Sequence, residues 1–425
     1  MKPRPALPPG PWLVVGLARS GVAAARVLAA RGERAVAVDA GTPPVPDDID
    51  ARLGTDGLAF LADARAVVKS PGVPREAAVI AAARERGIPV LGELELGWRL
   101  LPNEFVAVTG TNGKTTTVEL LGHIHREAGL AVAVAGNVGT ALSGLVATID
   151  PAAVVVCEVS SFQLEDALEF APEAAVLLNV QADHLDRHGT FDDYLGAKLR
   201  VFARQGNDDL AVAPAGLDVE DLGGCARRVY FGSEGGAQVE DRAGHLWWEE
   251  QPLIAHDEIR LRGAHNRSNA AAAAAVALAR GIDVGAVRAA LRSFAGVEHR
   301  LEEVASIAGV LYVNDSKATN VASTLVALAS FEAPVHLILG GVGKGQDFTA
   351  LRGRAHRVYL IGESAEQLQR EVGGEHCADL AAAVARARAR ALQGEVVLLS
   401  PACASFDQFT DYEARGRAFK ALLGP

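Results

Sequence analysis

The feature that most constrains this chain is a repeated pattern. A run of four or five apolar residues is followed by a glycine-rich or polar loop and then by an alanine-rich amphipathic stretch. Phe105–Val108, leading into Thr109-Gly-Thr-Asn-Gly-Lys-Thr-Thr116, is the clearest copy. A short, wholly apolar run reads as a strand buried on both faces, and a strand–loop–helix repeat brings successive strands back parallel. Trp12–Val15 and Ala35–Val38 form such a unit, with a helical pattern over Gly21–Ala30 between them. Strand patterns continue at Ala131–Ala135, Ala153–Cys157 and Ala174–Val180, and then at Val310–Val313, Val335–Leu339, Val358–Ile361 and Val396–Leu399. Ala381–Ala391 is the clearest helix of the last group. Residues 206–262 are richer in glycine and charge and yield little beyond a strand at Arg228–Phe231, before a helix over Asn269–Arg280. With ~150 residues per domain as a guide, the 425 residues divide into three α/β regions, 1–94, 95–295 and 296–425.

Composition narrows the function. The chain is 49% hydrophobic and 22% charged, which excludes wholesale disorder. Lys and Arg total 41 against 52 acidic residues, a net charge of −11, so a general nucleic-acid binder is not expected. Any polyanionic ligand must meet local positive groups. Only seven of the basic residues are lysines. Four scattered cysteines without a CxxC pair make no disulfide framework. The opening MKPRPALPPGPW has prolines where a signal peptide needs an apolar helix. Ala128–Ile149 carries no charge, but its glycines and Asn137 read as strand, turn and buried helix rather than a membrane span. A cytoplasmic, monomeric protein without membrane contact is the expectation.

Several loops carry chemistry. Gly16-Leu-Ala-Arg-Ser-Gly21 opens a helix after a strand, where free N–H groups and the helix dipole attract phosphate. Ala18 replaces the middle glycine of a dinucleotide fingerprint, so nucleotide binding other than NAD, or a packing turn, stands here; Asp39 ends the next strand. In Gly110-Thr-Asn-Gly-Lys-Thr-Thr116 the glycines let backbone N–H groups wrap phosphates, Lys114 supplies a compact charge, and Thr115 can ligate Mg²⁺. Glu158 ends a buried strand, either organising a metal or simply closing the strand. Asp183-His-Leu-Asp-Arg-His188 lacks a third soft ligand for zinc, so a polar loop with one histidine near Mg²⁺ or substrate is preferred. Three further loops follow strands of the last region: Asn314–Asn320, Gly340–Gly345 and Ser400–Asp407. Open α/β sheets bind ligands at such carboxyl ends. Cys403 reads as a small buried residue, not a nucleophile.

Together GTNGKTT, EVSSFQLE, NVQADHLDRH, GAKLR, GAHNRSNAAAA, EHRLE, NDSKATN and SPACASFDQF occur in an order that resembles the Mur ligases, ATP-dependent amide-forming enzymes of peptidoglycan synthesis. The resemblance runs from about Trp12 to about Lys420 and implies a Rossmann-like first domain, a P-loop ATPase-like second and a Rossmann-like third. It implies UDP-N-acetylmuramoyl-L-alanine and D-glutamate as substrates, ATP, and two Mg²⁺ sites. Gly16, Ala18, Arg19, Ser20, Asp39, Ser70, Gly72 and Asn137 would serve the UDP-linked substrate and its surroundings. Gly110, Thr111, Asn112, Gly113, Lys114, Thr115 and Thr116 would hold ATP phosphates, with Asn269, Arg300 and Asp315 as further ATP contacts. Thr115, Glu158, His184 and Lys198 would serve the metals, Lys198 as a lysine carbamylated by CO₂. Lys317, Thr319, Lys344, Ser405 and Phe406 would hold D-glutamate. Ala40-Gly41 departs from the larger polar residues common after the Asp39 position, and Tyr412 stands where some members have Phe. An unaided reading of Lys198 is a surface lysine on an amphipathic helix. The rivals are an amide ligase of the same architecture with another amino acid, a P-loop switch protein and a nicotinamide oxidoreductase.

Overall fold

The computed structural model describes residues 2–217 and 222–424, so the outermost residues of the first and third predicted regions, 1 and 425, lie outside it. The chain divides into two compact units: Met1–Glu258 with Ser268–Leu291, and Ile259–Arg267 with Arg292–Pro425. The first unit contains two sheets and the second contains one.

The amino-terminal sheet consists of β1 (Trp12–Val15), β2 (Ala35–Asp39), β3 (Ala51–Leu53), β4 (Ala66–Lys69) and β5 (Val90–Gly92), in the order β3-β2-β1-β4-β5 and parallel throughout. Side chains alternate across a strand, so β1 feeds two cores. Trp12 and Val14 pack with Ala24 and Leu28 of helix Arg19–Ala30, whereas Leu13 and Val15 pack with Val79, Ile80 and Ala83 of helix Ala78–Glu85. Both faces are covered, which is why the strand is apolar at every position.

The second sheet contains β6 (Phe105–Thr109), β7 (Val132–Gly136), β8 (Val154–Glu158), β9 (Ala174–Leu177), β10 (Leu210–Pro214), β11 (Arg227–Gly232), β12 (Val239–Arg242), β13 (His245–Trp248) and β14 (Gln251–Ala255). Its order is β14-β13-β12-β11-β10-β9-β6-β8-β7, and its neighbours are parallel except for the antiparallel pairs β12–β13 and β13–β14. The chain passes from β8, on one side of β6, to β9 on the other, so the switch point, where open α/β sheets bind ligands, falls at the carboxyl end of β6. The strand predicted to reach Val180 ends at Leu177, because Leu178 and Asn179 turn to hydrogen-bond the loop after β6. The helix predicted over Asn269–Arg280 is Ala264–Ala279; five more residues are recruited at its start, a region without the apolar periodicity that marks the rest. The uncharged stretch 128–149 resolves into β7 and the short helix Leu142–Leu145, and no helix among the described residues is long and apolar enough to cross a membrane.

The second unit carries β15 (Glu302–Ile307), β16 (Val310–Asn314), β17 (Val335–Gly340), β18 (Arg357–Ile361), β19 (Glu375–His376) and β20 (Val396–Leu399), in the order β15-β16-β20-β17-β18-β19. All neighbours are parallel except β15 and β16. Since β20 lies between β16 and β17, three loops distant in sequence emerge side by side.

Candidate active site

A cavity of about 560 Å³ opens beside the carboxyl ends of β1, β2 and β4. Gly16, Ala18, Arg19, Ser20, Asp39, Ser70, Gly72 and Asn137, the positions predicted for the UDP-linked substrate, all line it. Hydrogen bonds hold the rim in shape. The Asp39 carboxylate accepts from Leu17 N–H at 2.6 Å and from Gly41 N–H at 2.8 Å, and Ser70 Oγ donates to the Gly16 carbonyl at 2.7 Å. Gly21 is required because a Cβ there would lie 1.8 Å from the Gly16 carbonyl oxygen. Arg19 donates to the Asn137 carbonyl at 2.9 Å, which ties this rim to the end of β7.

The phosphate loop follows β6 and leads into helix Lys114–Glu127. Gly110 and Gly113 have φ of +151° and +86°, in the region that favours glycine, and a Cβ on Gly113 would lie 2.1 Å from Asn269 Oδ1. Asn269, a predicted ATP contact, therefore packs on the loop itself. Lys114 Nζ donates to the carbonyls of Gly110 and Thr111, both at 2.9 Å. Thr115 Oγ1 donates to Glu158 Oε2 at 2.7 Å, and Asn137 Nδ2 donates to Glu158 Oε1 at 2.9 Å. Strand pairing explains this meeting: Glu158 is the partner of Val108 on β6 and of Gly136 on β7. Thr116 is buried behind the loop. Asn112 is exposed, and its N–H is held by Asn179 Oδ1 at 2.9 Å.

Lys198 is 2% exposed, which overturns the reading of a surface lysine on helix Phe191–Leu199. Its Nζ donates to the Gly110 carbonyl at 2.9 Å, the same oxygen that Lys114 uses, and lies 4.4 Å from the centre of the Tyr194 ring. Burial, and then the neighbouring Lys114 charge, pull the amine down to about 7. His184 has a left-handed φ of 51°, stands half-exposed beside Asp183, and packs 5.0 Å from the Phe162 ring. Tyr194, whose hydroxyl lies 3.1 Å from Thr111 Oγ1, lies between this loop and the phosphate loop. The Thr115 hydroxyl and the Glu158 carboxylate beside a phosphate loop are chemically suited to Mg²⁺, which prefers oxygen ligands, takes few from the protein and keeps waters and phosphate oxygens.

The second unit brings the loops after β16, β17 and β20 together. Asp315 is buried, with Oδ2 accepting from Ser400 Oγ at 2.7 Å and Oδ1 from Leu301 N–H at 3.2 Å; burial pushes its carboxyl up to about 7. Lys317 Nζ lies 3.9 Å from the centre of the Tyr412 ring, and Thr319 is half-buried in the same loop. Arg300 is half-buried, in the turn before β15. Lys344 is exposed with a left-handed φ of 53°; Ser405 is 2% exposed, and Phe406 beside it is 69% exposed.

Family models match along the chain: the "Mur ligase MurD-like, N-terminal domain" over residues 11–92, the "Mur ligase middle domain" over 108–277 and the "Mur ligase, glutamate ligase domain" over 299–403. A UDP-N-acetylmuramoylalanine–D-glutamate ligase of Koribacter versatilis is 41% identical, covering 97% of this chain and 96% of that protein. The protein of the same name from Rubrobacter xylanophilus is 44% identical, over 97% of this chain and 98% of its own. The chain belongs to the Mur ligase family. The fold is also shared with the UDP-N-acetylmuramate-alanine ligase MurC of Thermotoga maritima (TM-score 0.62, 19% identity, 96% of this chain and 98% of that one). It is shared too with MurF ligase of the same organism in complex with ADP (TM-score 0.57, 18% identity, 98% and 96%).

Within this Mur ligase some important residues escape sequence reasoning. Arg415, 1% exposed, donates to Ser316 Oγ at 3.0 Å, to the Ser316 carbonyl at 2.9 Å and to the Cys403 carbonyl at 3.1 Å, so one guanidinium joins the loops after β16 and β20. Its place in the polar-looking helix Tyr412–Ala421 gives no hint of burial. Asn179, just past the carboxyl end of β9, shapes the phosphate loop through its side-chain amide. Cys403 is buried and its thiol is pushed up to about 12, in keeping with a packing role.

Proposed function

We propose that this chain is an ATP-dependent ligase that adds D-glutamate to UDP-N-acetylmuramoyl-L-alanine in cytoplasmic peptidoglycan precursor synthesis, acting as a monomer with domains 1–94, 95–295 and 296–425. The observation that carries the reading is identity above 40%, over nearly the whole chain, to relatives of that name. The 560 Å³ cavity, the phosphate loop and the three adjoining loops of the second unit support it.

A carboxylate does not accept an amine unaided, because its oxygen is a poor leaving group. Transfer of the γ-phosphoryl of ATP to the alanyl carboxylate of the substrate gives an acyl phosphate. The amine of D-glutamate attacks its carbonyl carbon, loses a proton, and the tetrahedral intermediate expels phosphate. The protein's task is to hold two anions together and keep them aligned. Gly110 to Thr116 wrap the phosphates, and Lys114 exchanges its two carbonyl partners for phosphate oxygens. Asn269, Arg300 and Asp315 serve as further ATP contacts. Thr115, Glu158, His184 and Lys198 would hold Mg²⁺, which supplies charge neutralisation when bound.

Lys198 takes part as a carbamate. Its neutral amine adds to CO₂ and releases a proton, so the amine beside Lys114 would become a carbamate anion able to help hold Mg²⁺. Burial and the Lys114 charge favour the neutral amine that this addition requires. Lys198→Ala is expected to lose activity that bicarbonate cannot restore and that a small carboxylate such as acetate restores in part. Activity at the wild-type level, unmoved by either, overturns the carbamate.

Lys317, Thr319, Lys344, Ser405 and Phe406 are assigned to D-glutamate, whose two carboxylates suit two lysines. Lys344→Ala is expected to raise the KM for D-glutamate more than that for ATP. The reading as a whole is tested by ATP hydrolysis with paired substrates. It should be stimulated by D-glutamate with UDP-N-acetylmuramoyl-L-alanine, and not when L-alanine, L-lysine or diaminopimelate replaces D-glutamate.

A further inference from the structure

The second unit holds a cluster that the ligation reaction does not use. His336 is the second residue of β17, His356 immediately precedes β18, and Glu395 immediately precedes β20. These strands are neighbours, so the three residues meet at their amino ends. The loops assigned to D-glutamate and ATP leave the carboxyl ends of the same sheet, at its opposite edge. One ligand atom from each of His336, His356 and Glu395 lies within 4.8 Å of the others.

We propose that these residues form a site for a divalent transition metal of the Zn²⁺ class. Two imidazoles and one carboxylate are a known donor set for such ions, leaving a fourth position for water. The buried ring of His336 is already oriented. Its Nδ1 lies 3.0 Å from the Tyr359 hydroxyl, the two rings stack at 6.0 Å and 13°, and its Nε2 lies 2.9 Å from Glu395 Oε2. A metal-bound histidine characteristically has its second nitrogen hydrogen-bonded; with Nδ1–H donating to the Tyr359 hydroxyl, Nε2 is left to bind the ion. Glu395 is fixed in turn by the Leu392 N–H at 2.9 Å. An ion pair between His336 and Glu395 would need no third member, yet the His356 ring stands 5.6 Å from that of His336. His356 is exposed, which gives an ion a path from solvent. Binding replaces any proton shared between Nε2 and the carboxylate, releases it, and clamps three strands at the edge remote from the reaction.

The test uses the full chain, stripped with EDTA and kept in excess Mg²⁺ so that oxygen-rich sites are filled. Titration with Co²⁺ should give the intense visible absorption of a low-coordinate ion, abolished by one equivalent of Zn²⁺. His356→Ala and Glu395→Gln should each weaken binding at least about 10-fold, while ligation with D-glutamate is retained. In the wild-type protein, Zn²⁺ should protect His356 from diethyl pyrocarbonate, read by mass spectrometry, which needs no variant to fold. No such absorption, absorption undiminished in either variant, or equal modification of His356 with and without Zn²⁺ overturns the site. Loss of ligation with metal binding intact would fall on the proposed function alone.

Discussion

Asp315 shows how a single residue links burial to pH. Its ordinary value is near 3.8, and burial raises it to about 7, against the opposing pull of the hydrogen bonds from the Ser400 hydroxyl and the Leu301 N–H. The folded state therefore holds a proton that the unfolded chain has already lost between these values. The stabilisation is full below pH about 4 and is lost as pH rises through about 7. Asp315→Asn is expected to flatten that fall, measured as the midpoint of thermal unfolding across this range. Neither this shift nor the burial of Lys198 can be read in the sequence. The motifs place both residues after strands or on a helix, but exposure depends on what the rest of the chain lays over them.

At the scale of elements, the phosphate loop is the most legible part of the molecule. Its glycines, its lysine and its position between a strand and a helix are all local, and β6 and helix Lys114–Glu127 stand where the pattern put them. Gly113→Ala should abolish ATP turnover with little loss of secondary structure, since φ of +86° and the approach of Asn269 leave no room for a methyl group; nucleotide binding and circular dichroism on the same sample would check it. The loops of the second unit were legible as loops, but not the guanidinium that joins them. Arg415→Met removes the donor to the buried Ser316 and Cys403 carbonyls, each worth about 1–3 kcal/mol when orphaned, while the Ser316 hydroxyl keeps its bond to the Tyr412 carbonyl. It should lower the unfolding midpoint and raise the KM for D-glutamate by a larger factor than the KM for ATP. The antiparallel β12–β14 extension was not legible, because its residues have neither strong alternation nor wholly apolar runs.

At the scale of the molecule, a buried ion pair ties the first sheet to the second within one compact unit. Lys69, at the end of β4, has 0% side-chain exposure and lies 2.7 Å from Asp166, which follows the short helix Ser161–Leu164 and has 1%. Lys69 also donates to the Val73 carbonyl at 2.9 Å. Breaking such a pair by removing one partner costs about 3–5 kcal/mol, whereas replacing both with apolar residues of similar size is often neutral. Lys69→Met and Asp166→Leu should each destabilise the fold, and the double variant should recover much of the loss, as read from a double-mutant cycle of denaturant melts.

The sequence by itself determined what depends on near neighbours in the chain: parallel α/β sheets, from wholly apolar runs, and the loops after them, from glycines and polar residues that no strand would carry. With the family resemblance it also nominated the side chains in those loops that are proposed to meet ATP and substrate. Tertiary structure alone decided what depends on strand order. It set Glu158 between Thr115 and Asn137, put β20 between β16 and β17 so that three distant loops adjoin, and buried Lys69, Lys198 and Arg415. It also gathered His336, His356 and Glu395 at the far edge of the same sheet. The physical reason is that strand pairing brings together residues tens of positions apart, and burial follows from that packing rather than from the local pattern.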